Sequence, residues 1–184
     1  MSSKYKIGDG QYAHFVTFTV VNWIDVFTRD EYRTIIIDSL NYCVTHKGLL
    51  VHAYCIMTNH VHLIISAKDA TVNLAFIVRD IKKYTSYKLL DTIRHNPFES
   101  KRGWMLWMFE RTGSKNSSND RCQFWQNGYH PVELSNVALI EQRLEYVHNN
   151  PVRAGFVLSA QEYKYSSARN YAGGIDCMMD VTFL

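Results

Sequence analysis

Tyr54-Cys-Ile-Met-Thr-Asn-His-Val-His-Leu-Ile-Ile65 decides the fold of this chain. Thr58-Asn59 breaks an otherwise apolar run into two antiparallel strands, Leu49 to Met57 and His60 to Ser66. Along a strand, residues i and i+2 share a face. His60 and His62 therefore point the same way, roughly 7 Å apart at the backbone, close enough for both rings to converge on one cation. Val61 and Leu63 turn toward the core. Polar groups on an interior strand are costly without partners, and a metal is a good partner for neutral imidazole.

Reading upstream, His14 to Val21 is β-branched and aromatic, a first strand. Thr28 opens a helix whose apolar positions Ile35, Ile36, Leu40, Cys43 and Val44 recur at helical spacing, and Gly48 stops it. Downstream, a second helix from about Thr71 to Thr92 carries Leu74, Ile77, Ile81, Tyr84 and Leu89 on one stripe and Arg79, Lys82, Lys83 and Lys88 on another face. His95 to Arg121 loses periodicity. Residues 113–120 read as loop, and Trp104, Trp107 and Phe109 as a short docked helix. Gln123 to Leu134 reads as a fourth strand, interrupted at Gly-Tyr-His-Pro. Ser135-Asn136 caps a third helix with Val137, Ile140, Leu144 and Val147 as its stripe. Pro151 disfavours helical geometry at the residue before it, so this helix is expected to end at Asn150. The order β-α-β-β-α-(loop)-β-α predicts an α+β, ferredoxin-like (RRM-like) fold, an antiparallel sheet with helices packed mainly on one face. Residues 1–160 are expected to form the domain, with an insertion at about 95–121, and 161–184 a C-terminal tail, whose apolar end after Ala172 either occupies the active site or pairs with a sheet edge.

Composition bounds the function. A chain of 184 residues with 47% hydrophobic content can bury a core and is no disordered tract. The net charge is only +3, yet Arg79 to Arg121 holds ten Lys/Arg against five Asp/Glu. A basic block of this kind suits a polyanion, or is merely a solvated helix face. The four cysteines form no CxxC pair and no zinc-ribbon spacing. The first residues lead into no apolar signal region, and no run approaches a membrane span, so a cytoplasmic protein with reduced thiols and no membrane partner is expected.

The third helix carries chemistry. Tyr146 and Asn150 share a face at i and i+4. A free phenol has a pKa of about 10, so a tyrosine nucleophile needs activation by a cation or base. The Asn150 amide oxygen is a candidate third, hard ligand beside His60 and His62. Tyr129 is the rival nucleophile. The other histidines (14, 52, 95, 130, 148) read as structural or exposed.

The string MTNHVHLII, then Lys82-Lys83-Tyr84, FWQNGYH, YVHNNPVRAGFV and YSSARNY resembles the REP-associated tyrosine transposases of the HUH single-tyrosine, IS200-like superfamily, in order and over nearly the whole chain. The resemblance implies a DNA transposase and single-strand endonuclease. Such enzymes bind hairpin DNA and cut and rejoin one strand through a 5′-phosphotyrosine, with Mg²⁺ or Mn²⁺ polarising the phosphate. It places the metal ligands on His60, His62 and Asn150 and the nucleophile on Tyr146. DNA contacts are expected at Arg79, Lys82 and Lys83. Trp125 and Arg153 are further DNA-binding candidates, with core packing and a carboxylate partner as their respective alternatives. It also implies a nucleoid-associated protein, and either a monomer or a homodimer. Two other functions remain open at this point: a catalytically silent hairpin-DNA-binding protein, and a metal-dependent phosphodiesterase acting on small molecules.

Overall fold

The computed structural model describes residues 7, 8, 10–115 and 122–184. The first six residues, Met-Ser-Ser-Lys-Tyr-Lys, and most of the expected 113–120 loop lie outside the described residues. Four strands form one sheet in the order β2-β3-β1-β4, with β1 at His14–Thr19, β2 at Leu49–Ile56, β3 at His60–Ala67 and β4 at Val132–Glu133. All pairings are antiparallel. The α+β, ferredoxin-like arrangement is that expected from the order of elements.

Helix α1, Asp30–Lys47, begins after Arg29 and ends at Gly48. Gly48 has φ 70°, and an added Cβ there would lie 2.8 Å from a Val72 methyl, so glycine is required on two counts. Helix α2, Leu74–His95, starts three residues later than expected because the Asn73 side chain caps it, accepting from the Phe76 amide. Helix α3, Arg102–Gly113, lies within the expected insertion. Its Met105 and Phe109 are buried, while Trp104 and Trp107 are about half exposed. The preceding loop is tied to α1 through buried Glu99, which accepts from Arg29 Nε at 2.9 Å and from the Tyr32 hydroxyl at 3.3 Å.

Two expectations fail locally. The fourth strand shrinks to two residues plus an isolated bridge between Val20 and Trp125, because the intervening chain turns through Gly128 at φ 77° and His130 at φ 41°. Helix α4, Val137–Arg153, does not stop at Asn150 but carries Pro151 inside its last turn. The proline forfeits one amide donor, yet the Asn150 carbonyl still accepts from Ala154 at 3.0 Å and the buried ring packs inward.

Register divides the helices between the faces. Thr17, His62 and Cys55 stand opposite one another across β1, β3 and β2, on the face that also holds Phe15. Phe18 points to the other face, where the Lys82 ammonium of α2 lies 5.7 Å from its ring. Helices α1 and α2 pack together over that side. Helix α4 crosses the first face, its Tyr146 ring 5.8 Å from Phe15. Both faces of β3 are thus covered, and His62 is only 4% exposed.

Within the tail after Ala172, Thr182 reaches the sheet edge, beside the earlier segment at Tyr165. The Thr182 amide donates to the Val51 carbonyl and the Ile56 amide to the Tyr165 carbonyl, each at 2.9 Å, along the outer edge of β2. A bulge between Val51 and Ala53 turns His52 so that its ring bridges the Thr182 carbonyl and the Ser66 hydroxyl. The edge is protected from further strand pairing. Among the described residues no helix is long and apolar enough to cross a membrane.

Candidate active site

His60, His62, Tyr146 and Asn150 come together where α4 passes over the start of β3. The His60 and His62 ring centroids are 4.6 Å apart, and Tyr146 lies 5.1 Å from His62. Asn150, one turn after Tyr146, hydrogen-bonds to His60.

Neighbouring side chains orient both imidazoles. Asn59 Nδ2 donates to Asp25 Oδ1 at 2.8 Å, which turns its amide oxygen toward His60 Nδ1, 2.7 Å away. His60 must then donate from Nδ1 when neutral, leaving the Nε2 lone pair uncommitted to Asn59. Thr17 Oγ1 sits 2.8 Å from His62 Nδ1, and His62 Nε2 is buried without a hydrogen-bond partner. An orphaned buried nitrogen beside a second correctly disposed imidazole and an amide is a donor set that fits a hard divalent cation. Outer partners of this kind fix ligand tautomers in metal sites. Among the described residues no group of three or more His, Cys, Asp or Glu side chains could hold a metal ion, so a third ligand beside the two imidazoles would have to be of another kind, such as the Asn150 amide.

The electrostatics agree. Burial pushes His62 down to about 3, helped by the neighbouring His60 and by the positive charge of Arg143. Burial also lowers His60, partly offset by Asn150 and then Asp25. Both rings are neutral near pH 7, the state in which imidazole binds metal. Arg143 lies over Phe15, its guanidinium carbon 5.1 Å from the ring centroid, and its Nε is buried without a partner. No carboxylate among the described residues pairs with it. Arg153 stands 5.9 Å over the Tyr146 ring, exposed to solvent.

The other candidates for DNA contact divide. Arg79 and Lys83 are exposed on α2, Arg79 paired with Asp80 at 3.1 Å. Lys82 turns inward and donates to the Gln126 and Gly128 carbonyls at 2.8 and 2.7 Å, and burial lowers it to about 8. Trp125 is 5% exposed, stacks on Phe27 at 5.8 Å and donates to the Thr85 hydroxyl at 3.0 Å. It takes the packing role that was its alternative. Tyr129 packs beside Lys82, not beside the histidines. His148 hydrogen-bonds to the Ser167 hydroxyl at 2.9 Å.

Sequence reading missed Thr17, Asp25, Asn59 and Arg143. Thr17 was detectable as a polar residue on the strand that must pair with His62. Arg143 lies one helical turn before Tyr146, a spacing that could have flagged it. Asp25 gives no sequence signal, because its role depends on how the 21–28 loop folds back over Thr58-Asn59.

Comparison with known proteins places the chain in a family. The family described as "Transposase IS200 like" matches residues 9–108, more than half of the chain, a stretch that includes both histidines. The chain belongs to the IS200-like transposase family. Tyr146 and Asn150 lie beyond the matched stretch. The whole chain superposes on 95% of a REP-associated tyrosine transposase solved bound to a REP hairpin, with a TM-score of 0.68 and 16% identity, a likeness of fold. A Deinococcus radiodurans R1 protein assigned as a transposase gives a TM-score of 0.46 at 17% identity, over 80% of this chain and 97% of that one. No curated protein matches.

Proposed function

We propose that this IS200-like transposase binds hairpin-forming DNA and cuts and rejoins one strand through a phosphotyrosine on Tyr146, with Mg²⁺ or Mn²⁺ held by His60, His62 and Asn150. The observation that carries the reading is the Tyr146 ring 5.1 Å from a buried imidazole whose Nε2 has no partner. Membership of the family supports DNA processing, and the structural relative is a protein bound to a REP hairpin.

A bound divalent ion would supply Lewis acidity toward a phosphate oxygen and a template for its orientation. The protein's own residues do the rest. Asn59 holds His60 in the tautomer with its proton on Nδ1, and Thr17 engages Nδ1 of His62 so that its Nε2 is aimed into the site. Arg143, a cation with no carboxylate partner among the described residues, offers its guanidinium to the incoming phosphate. Tyr146 attacks phosphorus, a tyrosine O–P bond forms and the P–O3′ bond breaks. The phenol gives up one proton and the departing 3′ oxygen takes one up, so the step is proton-neutral. Exchanging one phosphodiester for another keeps the bond energy in hand, and the 3′-hydroxyl reverses the step without ATP. Tyr146 meets the histidines of its own chain, so a monomer carries the complete set and a homodimer is not required for chemistry.

A labelled hairpin oligonucleotide with single-stranded flanks, incubated with Mn²⁺, tests the reading. The expected product is a covalent protein–DNA adduct that survives denaturing electrophoresis. Tyr146→Phe is expected to retain hairpin binding and lose both adduct and cleavage. Cleavage that persists in Tyr146→Phe overturns the assignment and favours a phosphodiesterase using the histidines alone. Tight binding by the unaltered protein with no adduct favours a silent DNA-binding protein.

A further inference from the structure

Four rings follow one another through the site. Trp23, His60, His62 and Tyr146 have adjacent centroids 5.8, 4.6 and 5.1 Å apart. The last three belong to the proposed chemistry. Trp23, at the other end, does not, and three observations set it apart from an ordinary surface aromatic.

Its backbone is strained. Asn22 and Trp23 both have φ 55°. Asparagine adopts this region readily, but a bulky residue there is an outlier, and such outliers persist only where surrounding contacts hold them. Those contacts are present. Asn22 Nδ2 donates to Thr112 Oγ1 at 2.9 Å, and the Val21 amide to the Phe124 carbonyl at 2.9 Å. The Val20 amide donates to the Asn59 carbonyl at 2.9 Å and the Phe27 amide to the Thr58 carbonyl at 2.8 Å, so the loop is bolted to the turn that presents His60.

The strain does not serve burial. Trp23 is 60% exposed, so the strained backbone holds its indole in solvent. It meets His60 edge-to-face at 70°, and a ring so exposed cannot be covered on both faces.

Finally, Trp23 shares its supports with the histidine. Asn59 Nδ2 donates to Asp25 and also reaches the Trp23 carbonyl at 3.4 Å, while Asn59 Oδ1 faces His60. One amide therefore contacts both the imidazole and the backbone that carries the indole.

We propose that Trp23 is a stacking platform for an unpaired nucleobase next to the phosphate that Tyr146 attacks. This deepens the reading given above and rests on it. Every base has a π-face, so the stack tolerates any sequence while fixing where the strand leaves the site. Stacking of a base on an aromatic side chain is worth on the order of 10- to 100-fold in affinity.

The test couples protein and DNA changes, in Tyr146→Phe protein so that binding is read without cleavage. A hairpin oligonucleotide receives one abasic site at a time through its single-stranded flank, and affinity is measured by fluorescence anisotropy. With Trp23 present, one abasic position is expected to weaken binding about tenfold or more. Adding Trp23→Ala should weaken binding of the intact strand by a similar factor and abolish the penalty at that position alone. Trp23→Phe should restore most of both. Equal abasic penalties with and without Trp23, or unchanged affinity in Trp23→Ala, overturns the proposal, as does failure of the flank to bind. Cleavage surviving in the Tyr146→Phe single variant sinks the transposase reading instead, and does so in a different assay.

Discussion

The Thr17 hydroxyl lies 2.8 Å from His62 Nδ1, directly across the β1–β3 ladder. The contact makes Nδ1 the engaged nitrogen and leaves Nε2 free in a pocket where it has no other partner. Orientation by an outer partner is worth 10–100-fold in metal affinity. Thr17→Val, close in shape but without the hydroxyl, is therefore expected to weaken Mn²⁺ binding by about that factor in a calorimetric titration. It also strands a buried nitrogen, at a cost of about 1–3 kcal/mol in stability. Thr17→Ser should recover both. Wild-type Mn²⁺ affinity in Thr17→Val would show that His62 needs no such support.

Adjacent lysines on α2 should behave differently. Lys83 is exposed, whereas the Lys82 ammonium is spent on the Gln126 and Gly128 carbonyls. If Lys83 contacts a phosphate, Lys83→Ala lowers the slope of log affinity against log salt by about 0.9. Lys82→Met should leave that slope unchanged and instead loosen the 126–128 turn, visible as faster amide exchange there. A loss of slope in Lys82→Met would mean that this lysine leaves its carbonyls for DNA.

Periodicity carried much of this fold into view: the β2–β3 hairpin, α1 with its Gly48 stop, and the shared helix face of Tyr146 and Asn150 follow from alternation or helical spacing, whereas the meeting of Tyr146 with His62 is implied only by the family resemblance. What stayed hidden depends on tertiary contact. A basic residue on a helix reads as surface, and nothing in the spacing of Lys82 reveals that two carbonyls wait beside it. A tryptophan near a candidate site reads equally as ligand or core, and only the surrounding Phe27 and Thr85 place Trp125 inside. Pro151 argues for a helix end at Asn150 because the residue before a proline is biased away from helical geometry, yet in the fold its ring is buried and the last turn closes past it through the Asn150 carbonyl. Alternation along β3 predicts which residues share a face, yet cannot tell that α4 covers the face holding the histidines.

Trp125 offers a direct check on that division between core and surface. It is stacked on Phe27, meets Phe18 and Phe124 edge-on, and donates to a fully buried threonine. Trp125→Ala should therefore cost about 3–5 kcal/mol in urea unfolding, the usual penalty for emptying an aromatic site. Trp125→Phe should cost less, losing the Thr85 hydrogen bond but keeping the stack. Were Trp125 a DNA contact instead, Trp125→Ala would weaken DNA binding with little change in the unfolding midpoint.

Acid should unfold the protein earlier than its carboxylates would dictate. His148, partly buried on α4, bonds to Ser167, and desolvation pushes it down to about 4, while His62 lies at about 3. In the unfolded chain each returns to about 6.5. Below pH 6.5 the unfolded state binds protons that the folded state refuses, so stability falls as pH drops, by up to about 1.4 kcal/mol per pH unit for each histidine. The loss from His148 ends near pH 4, once the folded form also protonates, and that from His62 continues toward pH 3. Above pH 7 neither contributes a slope. Urea midpoints measured in chelator at pH 7, 6 and 5 should therefore decline steadily. His148→Gln, which keeps a hydrogen-bonding group for Ser167 but cannot take up a proton in this range, should flatten the decline by about one histidine's share. An unchanged pH profile in that variant would mean that His148 is protonated as readily in the fold as outside it.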